Sequence, residues 1–461
     1  MRQGIIAAIS TPPGKGGVAI IRTSGKGSVA LAEEIFFPRS GKALSSYPAR
    51  MQVYGYIKDN GEVVDDGLVT LFGEGSSYTG EETVEYSVHG GILVTRRVLE
   101  LIFSHGAIPA AAGEFTRTAF INGRLGLIEA EAIGDLLEAK SNEQLKLASG
   151  PARERLRAKV DGMYTSLVRL LGSVYARIDY PEEDLGEFTD DELLEGLSKT
   201  RAELAQLIAT YRTGRAIREG ISTVLVGKPN VGKSTLYNLL LGEDAAIVTD
   251  IPGTTRDILE RTIPLGRVML ALCDTAGVHT KGVTDEVELI GIRRTRERIE
   301  SSELVLALFD LSRPADEADR EVIDAVASAA GAKIAILTKA DTRGERFAEL
   351  FTGFDAVIEI SALGAPEAAI DAIRREVEAL FTDEKINTSS DAIVASARQH
   401  AALVAALGFI DEAIGAIRLG IPADAASSDI ELCLGALAEI DGRAVSEDVV
   451  SDIFARFCVG K

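Results

Sequence analysis

The chain has 461 residues, 46% of them hydrophobic and 26% charged, with a formal net charge of −21. That length gives about three domains, each large enough for its own core. The acidity argues against broad electrostatic binding to nucleic acid, leaving room for a local basic patch or contact through a partner. The three cysteines, Cys273, Cys433 and Cys458, are widely spaced, which implies neither a disulfide framework nor a zinc site and suits a reducing cytoplasm.

The apolar run that opens the chain stops at Ser10. It is too short for a signal-peptide core, and no run reaches the length expected of a membrane span. Residues 1–118 mix strand-like and helix-like segments. Val18 to Arg22 and Gly67 to Phe72 read as strands, and His89-Gly90-Gly91 opens a helix-like run from Ile92 to Phe103. Spacing alone shows no chemistry in this α/β module. From 119 to 215 apolar residues recur at helical spacing, as in Leu127, Ala130, Ile133, Leu136 and Leu137. Pro181 to Asp184 interrupts, and a helix is expected from Asp190 to Arg215. Residues 216–379 return to alternating β and α. Strands are expected at 222–226, 267–273, 303–309, 333–337 and 356–360, which argues for a doubly wound, largely parallel sheet. Over 380–461 helical patterns resume at 393–417, 429–439 and 449–457. The expected fold is α/β multidomain, with an N-terminal α/β domain and a second α/β domain inserted into one helical bundle.

The inserted domain carries the legible chemistry. Its first strand leads into Gly227-Lys228-Pro229-Asn230-Val231-Gly232-Lys233-Ser234, and a helical run begins at Thr235. This fits G-x-x-x-x-G-K-[ST] in the strand–loop–helix setting that a phosphate loop needs. Backbone N–H groups and the helix N-terminus face the phosphates, Lys233 reaches the β- and γ-phosphates, and the Ser234 hydroxyl serves Mg²⁺. Gly253-Thr254-Thr255 falls in a first switch, with Thr255 as a second Mg²⁺ hydroxyl. Asp274-Thr275-Ala276-Gly277 follows the strand ending at Cys273, where Asp holds the metal's water shell and the Gly N–H senses the γ-phosphate. Thr338-Lys339-Ala340-Asp341 follows another strand. Asp341 there accepts from guanine N1 and N2, and the Lys339 stem covers the base. Adenine offers no such donors, so the element selects guanine. Ser361 and Ala362 close the base pocket. The order of these elements reads as a Ras-like GTPase domain.

Two positions depart from that pattern. Thr338 stands where Asn is usual, and its hydroxyl can still bond the loop. Val278 follows the Asp-Thr-Ala-Gly run where Ras-like enzymes place a water-orienting Gln. Hydrolysis then needs another group. Glu288 on the second switch either orients water or lies on a solvated helix face. Arg256 and the cluster Arg293, Arg294, Arg296 and Arg298 could also offer charge, although the cluster reads more readily as an exposed helix face.

Taken together, the segments from Ile9 to Gly25, Thr79 to Gly91, Gly113 to Leu137, Ile247 to Asp257 and Asp285 to Gly291, with the closing Phe457-Cys458-Val459-Gly460-Lys461, resemble the MnmE (TrmE) tRNA-modification GTPases over essentially the whole chain. The resemblance implies a homodimer that works with a FAD-dependent MnmG/GidA-type partner, as a heterotetramer. Together they add an aminomethyl or carboxymethylaminomethyl group to C5 of the wobble uridine, position 34, of tRNA. It also implies a tetrahydrofolate derivative, 5-formyl or 5,10-methylene, in the N-terminal domain. Its contacts fall on Arg22, Glu85, Arg124 and Lys461, with Cys458 close by as a candidate catalytic thiol. Basic groups suit the glutamate tail, and a carboxylate suits the pterin edge. The inserted domains are expected to pair around K⁺, held by the Asn230 side chain, the carbonyls of Thr249 and Ile251, and the region of Thr254. Asp250 and Pro252 complete that nucleotide-binding stretch, and Glu288 takes the water-orienting role. No membrane partner is expected. Thr118 stands where the family usually has Arg, Val88 where Cys is frequent, and Val278 to Thr284 is long, with His279 at a usual Arg. The alternative is a regulatory GTPase that switches ribosome or RNP assembly without modification chemistry.

Overall fold

The computed structural model of the protein describes residues 4–179, 189–242, 260–273, 297–342, 348–455 and 457–460. They fall into two units, residues 1–137 with 434–461, and residues 138–433.

The first unit is built on a seven-stranded sheet in the order β3–β4–β5–β6–β2–β1–β7. Its strands are β1 (Ile6–Ile9), β2 (Val18–Ser24), β3 (Phe36–Pro38), β4 (Gln52–Asp59), β5 (Glu62–Phe72), β6 (Thr83–His89) and β7 (Ile108–Pro109). Neighbours are antiparallel except β1 and β7. Helices α1 (Ser28–Ile35) and α2 (Ile92–Ser104) cover one face. Ile21, Val69, Val84 and Tyr86 of the sheet meet Leu31, Ile35, Val98 and Ile102 there. On the other face Ile6 and Ala8 pack with Phe115 of α3 (Glu114–Ile121). Helix α4 (Leu127–Glu138) follows, and Ala130 on it packs with Val450 and Phe454 of the C-terminal helix Glu447–Ala455. The expected strands near Val18 and Gly67 are present within β2 and β5. The other five were not anticipated. β4 shows the reason. Val53, Gly55 and Ile57 alternate inward with Gln52, Tyr54, Tyr56 and Lys58 outward, a half-buried pattern diluted by glycine and charge.

The second unit holds α5 (Asn142–Leu147), α6 (Gly150–Asp179), α7 (Asp190–Ala209) and α8 (Tyr211–Arg218) before a six-stranded sheet. The expected single helix from Asp190 to Arg215 is therefore two. The chain bends at Thr210, whose hydroxyl donates to the Leu207 carbonyl (2.7 Å) and accepts from the Val394 N–H (3.0 Å). The sheet order is β13–β12–β11–β8–β10–β9, with β8 (Ile221–Val226), β9 (Glu260–Leu265), β10 (Val268–Cys273), β11 (Leu304–Asp310), β12 (Ala332–Thr338) and β13 (Ala356–Glu359). All pairs are parallel except β9 with β10. Every residue of β11 is buried, as expected of a parallel strand covered on both faces. Helices α9 (Lys233–Leu241) and α11 (Pro366–Phe381) supply Leu236, Leu240, Ile373 and Val377 to one layer, and α10 (Glu317–Ala327) supplies Val326 to the other. The first strand, β8, lies between β10 and β11. The carboxyl ends of the strands at that reversal of order are where open α/β sheets bind ligands.

Helices α12 (Ala397–Arg418) and α13 (Ala423–Asp441) complete the helical part. The expectation that no run reaches membrane-spanning length is corrected by α12, which is long and apolar enough by length and composition. Its apolar character comes in part from core residues. Leu403, Ala406, Ile410 and Ala413 are buried, and Asp411 is ion-paired to Arg201 of α7 at 2.5 Å.

Candidate functional site

The loop between β8 and α9 is shaped by three residues with positive φ. Gly227 has φ 148°, Asn230 φ 64° and Gly232 φ 102°. A Cβ on Gly227 would stand 2.7 Å from the Leu308 carbonyl oxygen, so only glycine fits. Asn230 tolerates the left-handed region better than most side chains. The resulting turn ends at Gly232, the N-cap of α9. Lys233, whose pKa burial lowers, donates its Nζ to the carbonyls of Gly227 (2.5 Å) and Lys228 (2.8 Å). Asn230 is exposed on the loop, Ser234 is exposed in the first turn of α9, and Thr235 is half-buried.

A second loop, after β12, is pinned to the first. The Thr338 hydroxyl is buried and within donating distance of the carbonyls of Val231 (2.7 Å) and Phe309 (3.0 Å). Thr338 thus makes the inter-loop bond expected of the usual Asn. Lys339 has φ 59°, and its Nζ donates to Asp310 Oδ2 at 2.6 Å. The Ala340 N–H donates to Ile360 (3.1 Å), joining this loop to the one after β13. There the Ser361 hydroxyl donates to Asp341 Oδ1 at 2.7 Å, lowering the Asp341 pKa, and accepts from the Gly364 N–H at 3.0 Å. Ala362 is the next residue of that loop. The loops after β8, β12 and β13 thus form one bonded set, with an ionised carboxylate at the outer end and a lysine at the inner end. Such a set suits a purine nucleoside polyphosphate whose base offers N–H donors.

Asp310 was not singled out in the sequence, yet it anchors this arrangement. A carboxylate ending a buried strand beside the base loop was the available signal. Residues Thr249, Asp250, Ile251, Pro252, Gly253, Thr254 and Thr255, with Asp274, Thr275, Ala276, Gly277, His279 and Glu288, lie outside the described residues.

In the first unit Arg22 of β2 and Glu85 of β6 are direct cross-strand partners. Arg22 Nε and one terminal nitrogen donate to the same Oε1, at 3.0 and 2.8 Å. The guanidinium lies 5.5 Å from the Tyr78 ring centroid and 5.4 Å from that of Phe115. Neither aromatic residue was foreseen, because no local spacing links them to Arg22. Burial raises the Tyr78 pKa, and its hydroxyl pairs with Thr116 at 3.0 Å. Arg124 is tied to the same loop: a Cβ on Gly80, two residues after Tyr78, would come within 3.2 Å of Arg124 Cγ. The chain's end is also fixed here. Val459 bridges Ala112, Ser10 Oγ donates to the Gly460 carbonyl at 3.1 Å, and a Cβ on Gly460 would overlap the Ile9 carbonyl. Cys458 is exposed, whereas burial pushes the Cys433 thiol up to about 12. Lys461 lies outside the described residues. Thr118 donates its hydroxyl to the Glu114 carbonyl (2.8 Å) and lines a depression of about 70 Å³ with Gly4, Glu81 and Arg117.

Residues 127–458 match the MnmE helical domain, and residues 5–124 match the N-terminus of the GTP-binding protein TrmE. The chain belongs to the MnmE (TrmE) family of tRNA modification GTPases. A tRNA modification GTPase MnmE of Clostridioides difficile strain 630 is 37% identical over 459 residues, 99% of each chain. One from Thermotoga sp. strain RQ2 is 38% identical over 462 residues, again 99% of each. One from Carboxydothermus hydrogenoformans is 36% identical over the full length of both. MnmE-family membership makes the chain a GTP hydrolase with an N-terminal TrmE domain, a helical domain and a G domain.

Proposed function

We propose that the chain is a K⁺-dependent GTPase that, with a FAD-dependent MnmG/GidA-type partner, installs a folate-derived aminomethyl or carboxymethylaminomethyl group at C5 of the tRNA wobble uridine. The observation that carries this reading is the Thr338–Val231 clasp between phosphate loop and base loop, in a chain that aligns end to end with tRNA modification GTPases. Residues 216–379 act as the G domain, set between helical segments 119–215 and 380–461, and residues 1–118 form the folate-binding and dimerisation domain. The assembly works in the cytoplasm.

The residues of the second unit fit GTP and its cations. Lys233 leaves the loop carbonyls that it now bonds and meets the β- and γ-phosphates. Ser234 and Thr255 give hydroxyls to Mg²⁺, and Asp274 orders its water shell. Asp341, held ionised by Ser361, accepts from guanine N1 and N2. Asn230, with Thr249, Ile251 and Thr254, holds K⁺ at the pairing face, and Glu288 orients the attacking water where Val278 cannot. Mg²⁺ and K⁺ supply the positive charge that phosphoryl transfer requires.

The first unit fits a flat conjugated ligand with an anionic tail. Tyr78 and Phe115 flank the Arg22 guanidinium, and both Arg22 bonds use one oxygen of Glu85, leaving Oε2 for a pterin N–H edge. Arg124 and Lys461 suit the glutamate carboxylates. A bound tetrahydrofolate derivative supplies the one-carbon unit. Calorimetric titration with 5-formyltetrahydrofolate tests the reading. Binding by the wild type that Arg22→Ala abolishes, with GTP turnover intact, is the expected result. No binding at millimolar folate would favour the assembly-switch reading instead.

A further inference from the structure

Lys228 is a variable position of the phosphate-loop pattern, yet its side chain is only 7% exposed. It runs to the start of α10, where Nζ donates to Asp316 Oδ2 (2.7 Å) and Asp319 Oδ2 (2.5 Å). Those carboxylates already cap the helix reciprocally. Asp316 Oδ1 accepts from the Asp319 N–H, and Asp319 Oδ2 accepts from the Asp316 N–H, both at 3.1 Å. Asp316 is half exposed, but the Asp319 side chain is only 8% exposed, and its Oδ1 has no hydrogen-bond partner.

A buried ion pair adds little net stability over an apolar contact of the same shape, because both charges lose their hydration. Its consequence here is geometric. The carbonyl of this same Lys228 accepts from Lys233 Nζ at 2.8 Å. One residue therefore joins α10, through its side chain, to the lysine of the phosphate loop, through its backbone. The pairing also sets a cation against two carboxylates directly behind a loop that faces anionic phosphates.

We infer that Asp319 is a positioning residue that acts through Lys228 to hold the Gly227–Asn230 turn in the shape that receives a nucleoside triphosphate. Asp316 contributes less, being screened by solvent. The latch governs how tightly the polyphosphate is held and leaves the chemical step alone, because the three side chains are taken up with one another and with the start of α10. This inference rests on the loop after β8 being the phosphate site.

Equilibrium binding of a fluorescent GTP analogue and of GDP, with steady-state GTP turnover, tests it on the full chain. Lys228→Met and Asp319→Asn should each raise the Kd for both nucleotides and the KM for GTP about tenfold, the worth of one charged hydrogen bond. Saturated turnover should stay within about twofold of wild type. Lys228→Arg, which keeps charge and reach, should restore wild-type Kd. The double variant should bind no worse than Lys228→Met alone, because removing the second carboxylate cannot break a contact already lost. If Lys228→Met does not fold, Asp319→Asn carries the comparison, since it keeps the side chain's shape. Lower thermal stability with unchanged Kd, or a fall in kcat at unchanged KM, would overturn the inference. Lys233→Ala separates the two levels. If it leaves GTP binding intact, the reading of the loop itself fails. If it abolishes binding while Asp319→Asn has no effect, only the latch fails.

Discussion

Asp310 ends β11 with a side chain only 4% exposed. Burial pushes its pKa up, but the Lys339 ammonium and the hydroxyl and N–H of Ser312 more than reverse this and hold it at about 2. A carboxyl depressed on folding gives its full stabilisation above its unfolded pKa, near about 4, and loses it as pH falls through its folded value. The wild type should therefore lose roughly 2 kcal/mol more than Asp310→Asn between about pH 5 and pH 2, read from urea unfolding at each pH. Asp341, bonded to Ser361, is the residue proposed to set base choice. Asp341→Asn should weaken GTP binding by at least about 100-fold and favour xanthosine triphosphate, whose C2 carbonyl accepts from the new amide. Competition between the two nucleotides would show it, and unchanged preference would remove Asp341 from the base site. These two residues mark what is legible. Asp341 sits in a four-residue pattern, whereas Asp310 gains its meaning only from Lys339, 29 positions away.

The elements that position the site depend on glycines that no other residue can replace. Gly214 in α8 backs onto the Val394 carbonyl, which a Cβ would overlap. The Asp383 N–H donates to Thr213 Oγ1 at 3.0 Å, and the Arg212 guanidinium lies 5.6 Å from the Phe381 ring. Helix α8 thus secures the returning chain just after α11. Gly214→Ala should destabilise the second unit by about 2 kcal/mol or more, the usual cost of an overpacked buried site, seen as a lower melting temperature. In the first unit Gly460→Ala should free the C-terminal tail from Ile9. The expected result is weaker folate binding with GTP turnover unchanged. Equal folate affinity would show that the tail does not contribute. Most elements of the second sheet were readable as apolar runs between helical patterns. β9 was not, because Glu260, Arg261 and Pro264 interrupt it. Ile263 and Leu265 face inward, as suits an antiparallel edge strand. The Asp316–Asp319 cap escaped notice as well. Its third member, Lys228, lies 88 residues upstream of Asp316, beyond any local pattern.

At the scale of the whole molecule, the proposed function places two chemistries on one chain. The bonded loops after β8, β12 and β13 belong to residues 138–433, and the Arg22–Glu85 pair with residues 457–460 belongs to the other unit. The family and the inserted G domain were legible because their motifs are contiguous. The return of the C-terminal end to Ser10 and Ala112 was not, since it joins residues as far as 450 positions apart, through a backbone bridge and a carbonyl contact that leave little trace in side-chain pattern. In the proposed mechanism K⁺ supplies positive charge to phosphoryl transfer, and Glu288 takes the water-orienting role of the missing glutamine. GTP turnover in KCl against NaCl at equal ionic strength, for the wild type and Asn230→Ala, tests it most directly. A large activation by K⁺ that Asn230→Ala removes is the predicted result. Equal rates in the two salts would contradict the ion-assisted mechanism and leave the chain as a GTPase switch.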